Sequence, residues 1–359
     1  MAAFDCVIRG GEVFVSQALV RCDIGIRNGR IVALGEHLDA GDEEIDASGR
    51  WVLPGGVDAH CHLDQPMSDG AVMADNFETG TRSAVCGGTT TVIPFACQFK
   101  GQSVWAAIED YHQRASQQSY ADYAFHLIVS DPTPTVLQDE LPRAIAEGYT
   151  SFKIYMTYED MKLNDRQILE TLMVAKSAGA IVMVHAENAD CIDWLTELLE
   201  SAGHTTPEYH AKARPSAVER EATHRAITFS ELVDVPILIV HVSGAEAIEQ
   251  IDWARRRGLN IFAETCPQYV FLTSDHLHDP RGVVTSLSVH HHLVIKRIRK
   301  WCGMACGQGR FRSLAQTMRP LTSMIQRARR CMARMRPSQK YRMGSQAWKR
   351  ACLCCSQPV

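Results

Sequence analysis

Two histidines one residue apart close the segment Val52-Leu-Pro-Gly-Gly-Val-Asp-Ala-His60-Cys-His62. Side chains alternate along a strand, so His60 and His62 face one way and Cys61 the other. Two imidazoles aimed at one point begin a transition-metal site. A lone His-x-His pair is as often plain packing, so further ligands have to be found. Three more polar residues sit in or at the end of apolar strands: Lys153 in Thr150-Ser-Phe-Lys153-Ile-Tyr-Met, His185 after Ile181-Val-Met-Val, and His241 after Ile237-Leu-Ile-Val. Singly, each fits hydrogen-bonded packing better than ligation. In the order His-x-His, Lys, His, His on strands one, four, five and six of one sheet, they are hard to explain by packing.

The lysine sets the chemistry. An ammonium is repelled by divalent cations, and a neutral amine cannot bridge two of them. Carbamylation by carbon dioxide would give an anionic carboxylate with one oxygen for each of two metals. Ions about 3.5–4 Å apart would then acidify the water between them and generate hydroxide at neutral pH. The activity implied is hydrolysis.

The elements that position these groups follow from periodicity. Residues 4–50 read as short strands at Asp5–Ile8, Glu12–Val15, Cys22–Arg27, Arg30–Leu34 and Glu43–Asp46, with Asn28-Gly29 as a hairpin turn. Residues 1–51 are therefore expected to form a small β-domain. From Val52 short apolar strands alternate with amphipathic helices, the pattern of βαβ units on a parallel sheet. Strands are expected at 52–60, 89–95, 122–130, 150–156, 180–185, 236–242 and 259–264, with helices near 103–118, 134–147, 165–178, 189–202, 215–232 and 244–257. The expected α/β fold is a (β/α)₈ barrel over residues 52–280 that lacks its last unit. In such barrels catalytic groups sit at the C-terminal ends of strands.

The length of 359 residues suits a barrel with an appendage. No charged-then-apolar leader opens the sequence and no apolar run nears 18 residues, so a cytoplasmic protein without a membrane span is expected. The 13 cysteines read as free thiols or ligands in a reducing compartment. The net charge of -4 hides a break near Pro280. Residues 281–359 hold 17 Lys and Arg without one Asp or Glu, so all 41 acidic residues lie before them. A nucleic-acid-binding arm is disfavoured there by the single Tyr and the lack of any matching fold. Cys302-x-x-x-Cys306 and the terminal cysteines lack zinc spacing. The stretch 281–359 reads as sequence unrelated to the barrel, such as out-of-frame translation, with poor order expected.

Together, His60-x-His62, Lys153, His185, His241, the stretch Gly80-Thr-Arg-Ser-Ala-Val-Cys-Gly-Gly-Thr-Thr-Thr91 and the stretch Glu264-Thr-Cys-Pro-Gln-Tyr269 closely resemble the D-hydantoinase/dihydropyrimidinase branch of the cyclic amidohydrolases. The resemblance covers residues 4–280. It implies two zinc ions, or manganese in their place, bridged by hydroxide and a carboxylated Lys153. His60 and His62 would complete one site, His185 and His241 the other. It also implies that Tyr158 hydrogen-bonds the developing oxyanion of a ring amide, that the substrate is a small cyclic amide, and that the chain assembles as a homotetramer or homodimer. Dihydroorotases and allantoinases usually carry Arg where this chain has Asp64, which disfavours an anionic pyrimidine. The reaction implied is the opening of a 5-substituted hydantoin or a dihydropyrimidine to an N-carbamoyl amino acid. Loops 63–75 and 156–166, rich in Met, Tyr and Leu, would meet the C5 substituent.

One departure stands out. The family carries an aspartate in a Ser-Asp-His-Ala-Pro-like motif on strand eight, which binds metal and passes a proton to the leaving nitrogen. Nothing after residue 280 matches it. Thr273-Ser-Asp275-His276 follows Cys-Pro-Gln-Tyr too closely and reads as coincidence. The expectation is a chain that keeps metal ligands with little hydantoin-cleaving activity; the alternatives are a damaged non-catalytic relative and a basic-tailed binding protein.

Overall fold

The computed structural model describes residues 2–66, 72–206, 208–266, Tyr269 and 313–314. The first sheet contains β1 (Phe4–Val15), β2 (Ala18–Arg27), β3 (Arg30–Gly35), β4 (Gly41–Asp46) and β5 (Trp51–Val52). Its order is β3-β2-β1-β4, with β5 alongside β1. The hairpins turn on Ser16-Gln17, at φ 48° and 74°, and on Asn28-Gly29, at φ 51° and 71°. Two-residue turns with both φ values positive match the twist of the flanking strands. The expected strands 5–8 and 12–15 are one element. Gly10, at φ 66°, absorbs a bulge between Ile8 and Gly11, so pairing with β2 resumes after the kink.

Asp23 pins this bulge. Its carboxylate accepts from Arg9 Nη1 at 2.9 Å, the Gly10 N–H at 2.9 Å and the Leu38 N–H at 3.3 Å. Burial works to raise its pKa, but these three bonds outweigh it and leave the carboxyl below the ordinary 3.8.

The second sheet is parallel and alternates with helices, in the order β6 (Gly56–Cys61), α1 (Phe77–Cys86), β7 (Thr89–Cys97), α2 (Val104–Ala115), β8 (Asp122–Tyr123), β9 (His126–Ile128), α3 (Leu141–Ala146), β10 (Ser151–Tyr155), α4 (Asp165–Ala178), β11 (Ile181–His185), α5 (Ala189–Ser201), α6 (Glu208–Lys212), α7 (Ser216–Val233), β12 (Ile237–Ile239), α8 (Ala245–Arg256), β13 (Ile261–Thr265) and β14 (Ser313–Leu314). Spatially it runs β14-β13-β12-β11-β10-β9-β7-β6, with β8 beside β7. The sheet is curled. The side chains of His60 and Glu264, on β6 and β13, touch although five strands separate those two in the sheet. This is part of a (β/α)₈ barrel, and the short β14 lies beside β13, where an eighth strand would begin. Leu127, Phe152, Val182, Ile237 and Ile261, in register across the strands, help fill the core between sheet and helices.

The expected strand 52–60 is divided. Residues 51–52 join the first sheet and 56–61 the barrel, and the chain crosses between them at Pro54-Gly55. A Cβ at Gly55 would lie 2.0 Å from Thr90 Oγ1, so only glycine fits this crossing. Helix α1 was not expected, because Gly80 and two threonines give it weak propensity. It is held instead by a reciprocal cap: Asn76 Oδ1 accepts the Thr79 N–H at 2.9 Å, and Thr79 Oγ1 accepts the Asn76 N–H at 3.2 Å. No helix among the described residues is long and apolar enough to cross a membrane. Apart from 313–314, the basic stretch 281–359 lies outside the described residues, as does Thr273-Ser-Asp275-His276.

Because the folded Asp23 titrates below its ordinary value, its contribution is fully present above pH 3.8 and is lost as the pH falls through the lower folded value. Asp23→Ala should therefore cost about 1–3 kcal/mol at pH 7. In urea melts the gap to the unaltered protein should close as the pH drops below 3.8; a gap that stays constant with pH would count against this assignment.

Candidate active site

The five sequence-predicted ligands gather at the C-terminal mouth of the curled sheet. His60 lies in β6 with His62 just beyond it, Lys153 lies in β10, His185 ends β11, and His241 follows β12 by two residues. The imidazoles form a row. Ring centres are 5.5 Å apart for His60 and His62, 5.7 Å for His60 and His241, and 4.5 Å for His241 and His185. Tyr158 continues it, its ring 5.1 Å from that of His185. Phe95 packs 4.7 Å from His60 and 4.9 Å from His62, so both imidazoles share one face while Cys61 is buried away from them.

Strand register does much of this. Pairing of β10 with β11 sets Tyr155 opposite His185, and the rings stack at 5.3 Å. Lys153 Nζ lies between aromatic faces, 5.3 Å from the centre of Phe95 and 5.2 Å from that of Tyr155. Two loop positions take the left-handed backbone that L-residues avoid: His241 at φ 38° and Tyr158 at φ 70°. Such strain, about 1–3 kcal/mol each, persists only where neighbours enforce it.

The imidazoles are oriented by outer partners. His60 Nδ1–H donates to Glu264 Oε1, His62 Nδ1–H to Gln65 Oε1 at 2.5 Å, and His185 Nε2–H to Glu187 Oε2 at 2.7 Å. These bonds assign the lone pair to Nε2 of His60 and His62 and to Nδ1 of His185, which is how ligating histidines are commonly held. Glu187 in turn lies 3.8 Å from Arg214 Nε.

Burial dominates the electrostatics. Lys153 is fully enclosed, and desolvation pulls its amine down to about 7, against the opposing pull of Glu264. His185 is also lowered by burial, which outweighs its bond to Glu187. The Tyr158 phenol is pushed up by burial and the Glu187 charge, so it remains an O–H donor at neutral pH. Asp58, which accepts the His60 backbone N–H at 3.2 Å, is raised to about 6 by burial.

Imidazole nitrogens of this kind suit a borderline divalent ion such as zinc, whereas manganese would call for added oxygen donors. Among the described residues no three His, Cys, Asp or Glu side chains converge on one point. The four imidazoles are instead neighbours in succession, His62 to His60, His60 to His241 and His241 to His185.

Neither Glu187, Gln65, Phe95 nor Glu264, beyond its place in the stretch to Tyr269, was assigned a role from sequence. Glu264 could have been, since it follows the apolar Ile261-Phe-Ala at the end of a strand, as the histidines do. Glu187 gave only its proximity to His185.

A curled parallel barrel with imidazoles at its strand ends is an amidohydrolase architecture, and the Amidohydrolase family matches residues 51–351. The chain belongs to that family. Its relatives include the D-hydantoinase of Geobacillus stearothermophilus, 46% identical over 277 residues that cover 76% of this chain and 58% of the relative. The D-hydantoinase of Ralstonia pickettii is 42% identical, covering 77% and 60%. The crystal structure of dihydropyrimidinase from Brevibacillus agri superposes with a TM-score of 0.83 at 40% identity, covering 88% of this chain and 68% of that one. The chain thus spans about three fifths of the length of these curated relatives. The family match crosses residue 280.

Removing the Glu264 acceptor would strand a buried N–H across the β6–β13 contact. Glu264→Ala should cost about 1–3 kcal/mol, and Glu264→Gln, which keeps an acceptor, less than about 1 kcal/mol. Equal losses in the two variants, measured by urea unfolding, would argue against that bond.

Proposed function

We propose that this chain is a metal-dependent cyclic amidase by descent, built to open a 5-substituted hydantoin or a dihydropyrimidine to an N-carbamoyl amino acid. The observation that carries the reading is the row His62, His60, His241, His185 beside the buried Lys153. Kinship with proteins named D-hydantoinase and dihydropyrimidinase supports the substrate class.

His60, His62 and Lys153 would hold one ion, and Lys153, His185 and His241 a second. Bound zinc or manganese would supply an acidified water and a Lewis acid for the ring carbonyl. A buried ammonium is costly in this setting, and addition of Lys153 Nζ to carbon dioxide removes it. The nitrogen lone pair forms the N–C bond, a proton leaves to solvent, and a carbamate anion remains. Tyr158 would donate its O–H to the oxygen that gains charge as the ring amide is attacked. Asp64, in place of an arginine, offers nothing to a substrate carboxylate, which supports a neutral ring.

The leaving nitrogen also needs a proton. Residues 281–359 contain no Asp or Glu, so no carboxylate there can deliver it. This favours a second reading, a relative that keeps the metal ligands and turns over slowly. The proposed organisation is a β-domain at 1–51, a barrel at 52–280 and a basic stretch at 281–359 under different constraints. The acid-free composition supports a break at 280, while the family match reaching residue 351 and the pairing of β14 with β13 weigh against it. Assembly as a homotetramer or homodimer is proposed from kinship.

Purification with zinc and bicarbonate should yield close to two metals per chain, falling to one or fewer in Lys153→Ala. Ring opening of dihydrouracil and a 5-substituted hydantoin should be weak or absent. Metal at trace levels in the unaltered chain would sink the site; enzyme-like turnover would sink the impaired reading and require another proton donor.

A further inference from the structure

Glu219 lies on α7, outside the imidazole row, and is buried. Its carboxylate accepts from the Ser243 N–H at 2.8 Å, the Gly244 N–H at 2.7 Å and the Ser243 hydroxyl at 3.1 Å. All three donors belong to the loop between β12 and α8, the loop that His241 enters at φ 38°. Gly244 is the N-cap of α8 and brings no side chain to the orphan N–H groups there. Glu219, from a neighbouring helix, takes the N–H of that cap residue and of Ser243 before it, and places its negative charge at the start of α8.

The fit is close on both sides. A Cβ at Gly244 would stand 2.6 Å from Glu219 Oε2, so this carboxylate position requires glycine. Glu219 and His241 also border one small cavity, together with Glu187, Ser243 and Tyr269. Beyond His241, the Val242 N–H donates to the Glu264 carbonyl at 2.8 Å, and the Thr265 hydroxyl donates to the Val242 carbonyl at 2.8 Å. Glu219 fixes the next two residues. The segment from His241 to Gly244 is therefore held from β13 on one side and from α7 on the other.

We infer that Glu219 is a positioning residue for His241. By locking Ser243 and Gly244 it holds the backbone at His241 in the left-handed region and keeps that imidazole 4.5 Å from His185. Its consequence for metal binding rests on the proposed function, whereas its hold on the loop does not. Glutamine at 219 keeps one acceptor oxygen and turns an NH₂ toward an N–H, so one of the two backbone bonds must break.

The test compares the full chain with Glu219→Gln, His241→Ala, the double variant and Gly244→Ala, the last moving the carboxylate by contact instead of by charge. Cobalt affinity and the visible cobalt spectrum read the imidazoles; amide exchange in the metal-free chain reads residues 240–244. Glu219→Gln and Gly244→Ala should each weaken cobalt binding at least tenfold, alter the spectrum and speed exchange in that segment. In the His241→Ala background, Glu219→Gln should have no further effect on cobalt, because the two act as one unit. An equal loss in both backgrounds, or no loss in either, overturns the inference. If the unaltered chain takes up no cobalt, the metal reading fails, and exchange decides: unchanged rates in both Glu219→Gln and Gly244→Ala overturn the hold on the loop, and faster rates uphold it.

Discussion

A lysine amine enclosed at the mouth of a barrel has no water to stabilise its charge, and much of the surrounding structure answers that constraint. Lys153 sits between the faces of Phe95 and Tyr155, which offer a cation little beyond their quadrupoles. The opposing charge comes from Glu264 on β13, which is spent at the same time on orienting His60. One carboxylate therefore serves the amine, the imidazole and the contact between two strands that do not pair. Loosening the curl of the sheet would unseat all three.

The second constraint is where strain is stored. His241 and Tyr158 leave their strands in left-handed conformations, at the points where side chains must turn inward across the mouth. Neither is glycine, so the backbone cost is borne by local anchors. Around Tyr158 these are turns in the loop itself, whose carbonyl accepts from the Met161 and Lys162 N–H groups. Around His241 they come from α7 and β13. One loop is thus anchored within itself and the other by two neighbouring elements, which is how a barrel can present side chains at set spacing from segments otherwise free to vary.

Much of this was legible in the sequence. Apolar runs interrupted or ended by a polar residue located β6, β10, β11 and the His241 position, because a polar group on an otherwise apolar strand stands out from its neighbours. The parallel sheet followed from alternation with helices. What escaped depends on arrangements that leave no usual sequence signal. Helix α1 depends on a threonine where a glutamate or glutamine is the usual signal, and on Gly80, whose missing Cβ makes room for Leu63. The Ser16-Gln17 turn has none of the residues that favour positive φ. Glu219 looks like any charge on an amphipathic helix until Ser243 and Gly244 fold against it.

Cys61 lies between the first two imidazoles in sequence, is buried on the far side of β6, and has a thiol raised well above its ordinary value by burial. The pairing of β6 with β7 already carries an irregularity between Asp58 and Cys61. A slip by one residue would exchange two nitrogen donors for a single sulfur. The pleat of one short strand thus decides which chemistry faces the mouth: two imidazoles turn toward it, while the Cys61 sulfur is shut into the apolar core.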